Sequence, residues 1–421
     1  MQHHPIMLKF LTPYKTIERQ ILLVILAEFF IQLVNATFMN MLPLYLHSLH
    51  YSKQDIAGFI SFRFLGVFLL ALPLGVLLKG KKMKPFFYAS CIGVPFFALC
   101  ILYFIDQRNE PLIYISQLLW GASFTFIQIP ILPFILRYSP ERHQTASIAL
   151  SYSTWSFAGI VSGVLIAIVD YINPALFNER MVLLIFSVLG FAGIIMLLLA
   201  NIKEDDFKNE TGKSSYNLAQ YDWIIIFKAL IPTLIIAVGA GLTIPFISLF
   251  FEEVHGMHKG NFSIVSSVAA LLVAWGALLV PNIKSKIGYK IAVPTTQSLA
   301  IVSLVALATT QFYNQMSIAV VIAITFYLLR QPLMNMAGPM TTEIVMNYVG
   351  EKNREIVSAL TSAIWSGSWF ISGLLVQLLF VQGFAFVNIF LLTALLYSVG
   401  VVWYMILIKD YERRQKANLI N

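Results

Sequence analysis

Asn201 to Asp222 reads NIKEDDFKNETGKSSYNLAQYD, the one long polar stretch in a chain of 421 residues, and it lies at the midpoint. Six apolar runs precede it and six follow, from Ile21–Leu46 to Phe384–Ile408. Each exceeds the ~17 residues a helix needs to cross a hydrocarbon core. The chain therefore divides into residues 1–200, a cytoplasmic linker at 201–222, and residues 223–421. Inside a bilayer no water satisfies backbone groups, so such runs must be helices. Pro95, Pro130, Pro133, Pro245, Pro332 and Pro339 fall within them and predict kinks. The expected fold is an all-α membrane protein with 12 transmembrane helices in two six-helix bundles.

Composition agrees with this reading. A chain that is 58% hydrophobic and 11% charged carries more apolar surface than a soluble interior hides, so the bilayer is its solvent. The net charge of +8 is not a nucleic-acid signature, because the basic residues sit in short loops between apolar runs rather than in one basic domain. Cys91 and Cys100 fall on one predicted helix, roughly 13 Å apart along its axis, which excludes a disulfide between them.

Lys and Arg set the orientation. With the N-terminus inside, the inner segments hold 21 of the 28, the outer loops hold Lys53, Arg108, Arg180 and Lys259, and the spans hold Arg63, Lys228 and Arg330. Both termini are thus expected on the cytoplasmic side. The halves also repeat: a shift of 210 places Ala149-Leu150 on Ala359-Leu360, Trp155-Ser156 on Trp365-Ser366, and Ser162-Gly163 on Ser372-Gly373. The loops after spans two and eight match at a shift of about 206. Duplicated halves with a site near the midplane are a common construction of secondary transporters.

At these loops the chain resembles the major facilitator superfamily, and the likeness covers essentially its whole length. The family pattern after span two is G-x-L-a-D-R-x-G-R-K. Gly75, Leu77 and Lys84 keep it, whereas Lys79 stands at the Asp position and the second Gly is absent. After span eight, Ser285 stands at the Asp position, and Lys286, Gly288 and Lys290 match. Span four meets the R-x-x-q-G pattern with Gln117 at the Arg position and Gly121 kept, and Gly159 to Gly163 resembles a Gly-rich antiporter motif without its Pro.

The resemblance implies two pseudo-symmetric bundles that rock about a midplane site, with spans one, four, seven and ten lining the cavity. It also implies a clamp between the span-two loop and the start of span eleven. With Lys79 in place of Asp, the charges are expected in reverse, with Lys79, Lys81 or Lys82 attracting Glu351 and Glu355 near the helix N-terminus. Lys286 and Gly288 belong to the equivalent loop of the second half. The plain alternative is that these lysines are topology charges near solvated acids.

Ionisable groups deep in a span are costly, which makes each a functional candidate. Glu28 lies roughly 10 Å inside span one, with Gln32 and Asn35 following on the same face, a polar stripe expected to face a watery cavity, the alternative being helix-packing contacts through the amides. Arg330 lies at a similar depth in span ten, with Gln331 and Asn335 nearby. The resemblance puts Glu28 and Arg330 on facing walls. Glu28 is then expected to carry the coupling proton and Arg330 to bind an anionic or polar group of the solute, the alternative being a permanent structural ion pair. Gln117, Gln128 and Thr243 are expected to add hydrogen bonds; aromatics such as Phe38, Trp120 and Phe246 could stack on the solute, but aromatics on membrane helices more often face lipid or pack between helices. Arg63 is expected to snorkel or pair with Asp55 or Asp170 as an outer gate. His255 and His258 have metal-like spacing, yet the acidic outer loop around them does not favour zinc, and no metal or cofactor is expected.

The expected function is secondary active transport of a small organic solute by alternating access, through proton-coupled efflux (antiport). The alternative is proton-coupled uptake (symport) of a sugar or organic anion, favoured by Arg330 where the solute is acidic. A non-transporting membrane sensor is a remoter alternative, with no soluble signalling domain in sight. No phosphate loop, nucleophile elbow or HExxH motif points to ATP-driven transport or to an enzyme. The chain is expected to act as a monomer in a bacterial-type cytoplasmic (inner) membrane.

Overall fold

The computed structural model describes residues 17–78, 81–202, 221–350 and 353–416. Every regular element among them is a helix, and twelve are long and apolar enough to cross a membrane. They are α1 (Arg19–Ser48), α2 (Lys53–Gly75), α3 (Lys84–Asp106), α4 (Glu110–Tyr138), α5 (Ser147–Ile172), α6 (Glu179–Ala200), α7 (Trp223–His255), α8 (Lys259–Ala277), α9 (Lys286–Tyr313), α10 (Ser317–Val349), α11 (Ile356–Val381) and α12 (Phe386–Lys416). With an even number of crossings, Arg19 and Lys416 lie on one side, called here the termini face; the α1–α2 turn lies on the far face.

Local sequence explains the helix ends. Ser52, Asn109, Asn178 and Asp222 precede α2, α4, α6 and α7, and each side chain accepts a backbone N–H of the first turn. Gly288, near the start of α9, turns the chain coming from α8 at φ 66, a left-handed conformation that glycine adopts without steric cost. Two of the expected proline kinks are real breaks: α4 is interrupted before Pro130, and α7 passes through a short 3₁₀ turn at Ile244–Phe246 around Pro245. Helices α3 and α10 run on through Pro95, Pro332 and Pro339. A further break at Phe191 in α6 has no proline to announce it.

Helices α1–α6 and α7–α12 form two bundles with matching contacts. Helix α1 packs on α5 and α6, as α7 packs on α11 and α12; α2 meets α4, as α8 meets α10. The bundles join along two seams, α2 against α11 and α5 against α8. Each seam closes through a glycine on a serine. A Cβ on Gly373 would stand 1.9 Å from Ser61 Oγ, and one on Gly163 would stand 2.0 Å from Ser267 Oγ. Gly373 is Gly163 shifted by 210, and Ser267 is Ser61 shifted by 206, so the repeat read in the sequence is the symmetry of the seams. Gly121, kept from the family pattern, is likewise a packing residue: a Cβ there would lie 1.9 Å from the Arg63 carbonyl.

Ion pairs tie the bundles together at the far face. His47 at the end of α1 reaches Glu252 at 2.9 Å and Glu253 at 3.4 Å on α7, and Lys53 of α2 pairs with Glu253. Across the other seam, Asp170 of α5 meets His258 at 3.0 Å and Lys259 at 3.8 Å, and Lys259 reaches Glu179 of α6 at 2.9 Å. His255 contacts Thr310 instead, so the two histidines of the metal-like spacing diverge.

The reversed clamp lies outside the described residues in its key members, Lys79, Glu351 and the Glu355 side chain. Lys81, Lys82 and Lys286 are solvent-exposed on the termini face.

Candidate solute-binding site

A cavity of about 450 Å³ lies between the bundles. Ala36, Met39 and Asn40 of α1 and Trp155, Ser156 and Gly159 of α5 line one wall; α7 to α12 line the other, with α10 contributing from Tyr327 to Met346. The Asn40 amide donates across the gap to Ser266 Oγ of α8 at 3.4 Å.

Arg330 is the one cation among the described lining residues, and none of them is a carboxylate. Its side chain is 1% exposed. Nη2 donates to the Tyr397 hydroxyl at 3.4 Å, the guanidinium lies 6.0 Å from the Tyr397 ring centre, and Nε has no partner. Gln297 Oε1 and Trp369 Nε1, also on the wall, are buried without partners. A buried cation and unmet hydrogen-bonding groups around a void form a site that gains by receiving a polar, negatively charged group. Trp155, Trp365 and Trp369 give it flat apolar walls.

Of the residues singled out in the sequence, Arg330, Gln331 and Asn335 meet here. The others do not. Glu28 is buried against α5, where its carboxylate accepts from Ser151 Oγ at 2.7 Å; it is neither on the cavity wall nor paired with Arg330. Gln32 and Asn35 bond each other at 3.3 Å inside the first bundle, and Arg63 Nη1 donates to Asn35 Oδ1 at 3.4 Å. Arg63 is thus not directed at Asp55 or Asp170; it stacks on Trp120 at 4.4 Å, while Asp55 bonds Ser52 and Asp170 holds His258. Gln117 is buried near Trp120, Gln128 is exposed at the break in α4, and Thr243 donates to Thr393 at 2.8 Å; none lines the cavity.

A model of the Major Facilitator Superfamily matches residues 24–373. The chain belongs to the Major Facilitator Superfamily. No curated protein sequence matches it, but solved structures of transporters share its fold. The nucleoside transporter NupG superposes with a TM-score of 0.70 at 12% identity, covering 93% of this chain and 99% of its own. A D-xylose-proton symporter gives 0.71 at 11% identity over 92% and 96%. A POT family transporter in complex with 5-aminolevulinic acid gives 0.71 at 14% identity over 94% and 96%.

This member of the superfamily is an integral multi-pass membrane protein of transporter architecture. Its cavity departs from the expected wall in one respect: α1, α7 and α10 contribute, but α4 does not, because Trp120 turns toward α1 and α2, stacking on Phe38 and Arg63. Sequence reasoning missed Trp155, Trp365, Gln297 and Tyr397 as wall residues. The first two carried a signal, since the repeat pairs them and both halves put them on the cavity.

Proposed function

We propose that this chain is a proton-coupled secondary transporter that takes up a small organic solute bearing one acidic group, by symport and alternating access. The observation that carries the reading is Arg330: a buried guanidinium with no carboxylate partner among the described residues, on the wall of a cavity whose described lining holds no carboxylate. An ammonium group would meet repulsion there, whereas an acid would gain a charge-assisted hydrogen bond.

Glu28 is the proton carrier in this reading, as a carboxylate buried in the first bundle. Antiport by direct competition requires proton and solute to share one place. Here Glu28 bonds Ser151 off the cavity wall, which leaves proton and solute separate places to be carried together and supports symport over the efflux expected from the sequence. Amphipathic efflux is the second reading, favoured by the three Trp walls. That a D-xylose-proton symporter and a transporter holding 5-aminolevulinic acid have this fold is in keeping with the symport reading. The protein works as a monomer in the inner membrane with the termini face cytoplasmic, a placement that rests on the Lys and Arg distribution.

The test is lumenal pH in proteoliposomes, with organic anions, sugars and amphipathic cations added outside in turn. Lumenal acidification by an organic anion is the expected result. Alkalinisation by an amphipathic cation establishes efflux and overturns the symport reading.

A further inference from the structure

Among the described residues, each half of the molecule has one arginine, one glutamine and one tryptophan with a buried polar atom that lacks a partner. In the second half they are Arg330 Nε, Gln297 Oε1 and Trp369 Nε1, all on the cavity wall. In the first half they are Arg63 Nε, both amide atoms of Gln117, and Trp120 Nε1, and none of these lines the cavity. Arg63 is 2% exposed and Gln117 fully buried. Among the described residues Arg63 has no carboxylate partner; its guanidinium has the Trp120 ring at 4.4 Å and the Asn35 amide oxygen at 3.4 Å. Gln117 stands one turn before Trp120 on α4, and Gly121 brings that helix onto the Arg63 backbone.

A buried cation without a counter-charge, among donors without acceptors, is the environment in which proteins hold an ion. Three of the four orphan atoms are N–H donors: Arg63 Nε, Trp120 Nε1 and Gln117 Nε2. We propose that Arg63, Trp120 and Gln117, with Asn35 beside them, form a second anion site inside the first bundle, taking a small monovalent anion, either a free halide or a carboxylate group. Arg63 supplies the charge, and Trp120 Nε1 and Gln117 Nε2 are the neutral donors left without acceptors beside it. This site is separate from the Arg330 cavity and does not rest on the symport reading.

The experiment uses the purified full chain in detergent with no solute added. Its thermal unfolding midpoint is followed as sodium bromide or sodium formate replaces sodium gluconate, a bulky anion, at constant ionic strength. The expected result is a saturable rise of a few degrees with bromide or formate, absent in Arg63→Gln. A rise with bromide alone identifies a free halide as the natural occupant; a rise with formate alone identifies a carboxylate. No difference from gluconate, or an undiminished rise in Arg63→Gln, overturns the site. If Arg63→Gln does not fold, anomalous diffraction from crystals of the unaltered protein in bromide decides. A peak within hydrogen-bond distance of Arg63 Nε supports the site, and density for no anion there overturns it.

Discussion

Ser61 of α2 closes on Gly373 of α11 so tightly that a Cβ at position 373 would lie 1.9 Å from the serine hydroxyl. Its counterpart, Ser267 on Gly163, joins α8 to α5 in the same way. In the proposed alternating-access cycle these are the seams along which the two bundles slide, and small residues there let the backbones approach. Gly373→Val and Gly163→Val are therefore expected to force the seams apart, at a cost of ~1–3 kcal/mol each. The measurement is the thermal midpoint of the purified variants, with Gly75→Ala as control, because nothing lies within 4 Å of a Cβ at Gly75. Equal midpoints for Gly373→Val and the control would show that the seam tolerates bulk.

The far-face ion pairs differ in burial, and their removal should differ accordingly. The Lys259 side chain is 5% exposed between Asp170 and Glu179, whereas Lys53 is 38% exposed beside Glu253. Breaking a buried pair strands charge and costs ~3–5 kcal/mol, while an exposed pair contributes at most ~1 kcal/mol. Lys259→Ala is expected to open the far face much more than Lys53→Ala. Spin labels at positions 50 and 256, both exposed and one on each bundle, report the separation. A longer distance population in Lys259→Ala is the expected outcome; the same distribution as the parent would mean that these pairs do not hold the face closed.

Arg330 carries the solute reading, so its substitutions are the sharpest probe of it. A hydrogen bond to a charged group contributes ~1.5–3 kcal/mol, which corresponds to roughly 10- to 150-fold in affinity. Arg330→Gln should weaken binding of an acidic solute by about that factor, and Arg330→Lys should fail to restore it fully, since a point charge lacks the guanidinium fork. Tyr397→Phe, which removes the hydroxyl at 3.4 Å, should have the smaller effect. The check is a concentration series of solute uptake in proteoliposomes; unchanged half-saturation in Arg330→Gln would remove Arg330 from the site.

The twelve spans, the duplication and the buried Arg330 were legible in the sequence because hydropathy, spacing and charge are local properties. Side-chain direction was not. Glu28, Gln32 and Asn35 do form a polar stripe on α1, but whether it faces a cavity or other helices depends on how α1 is rotated against its neighbours, and here it faces α2 and α5. Arg63 illustrates the same limit. Its depth marked it as costly, yet its pairing with Asn35 and Trp120 needs α1, α2 and α4 to be assembled. Trp155 and Trp365 were visible as a repeat, but apolar aromatics on membrane helices carry no sign of whether lipid or solute lies beside them.

Glu28 is the proposed proton carrier, so coupling is tested there. Its carboxylate is buried and accepts from Ser151 Oγ at 2.7 Å. Glutamine at this position has nearly the same shape, keeps an acceptor for the serine and removes the titratable group. If Glu28 carries the proton, Glu28→Gln should still exchange labelled solute for unlabelled solute across the membrane, because exchange needs only the solute site and the rocking bundles. It should lose accumulation driven by an imposed pH gradient, because no proton can be released on the inner side. Ser151→Ala tests the neighbour: it leaves the carboxyl in place but removes one hydrogen bond, so coupling should persist with its pH dependence altered. Full gradient-driven accumulation by Glu28→Gln would mean that the proton travels elsewhere, while loss of exchange together with accumulation would place Glu28 in the solute path or in the packing of α1 on α5.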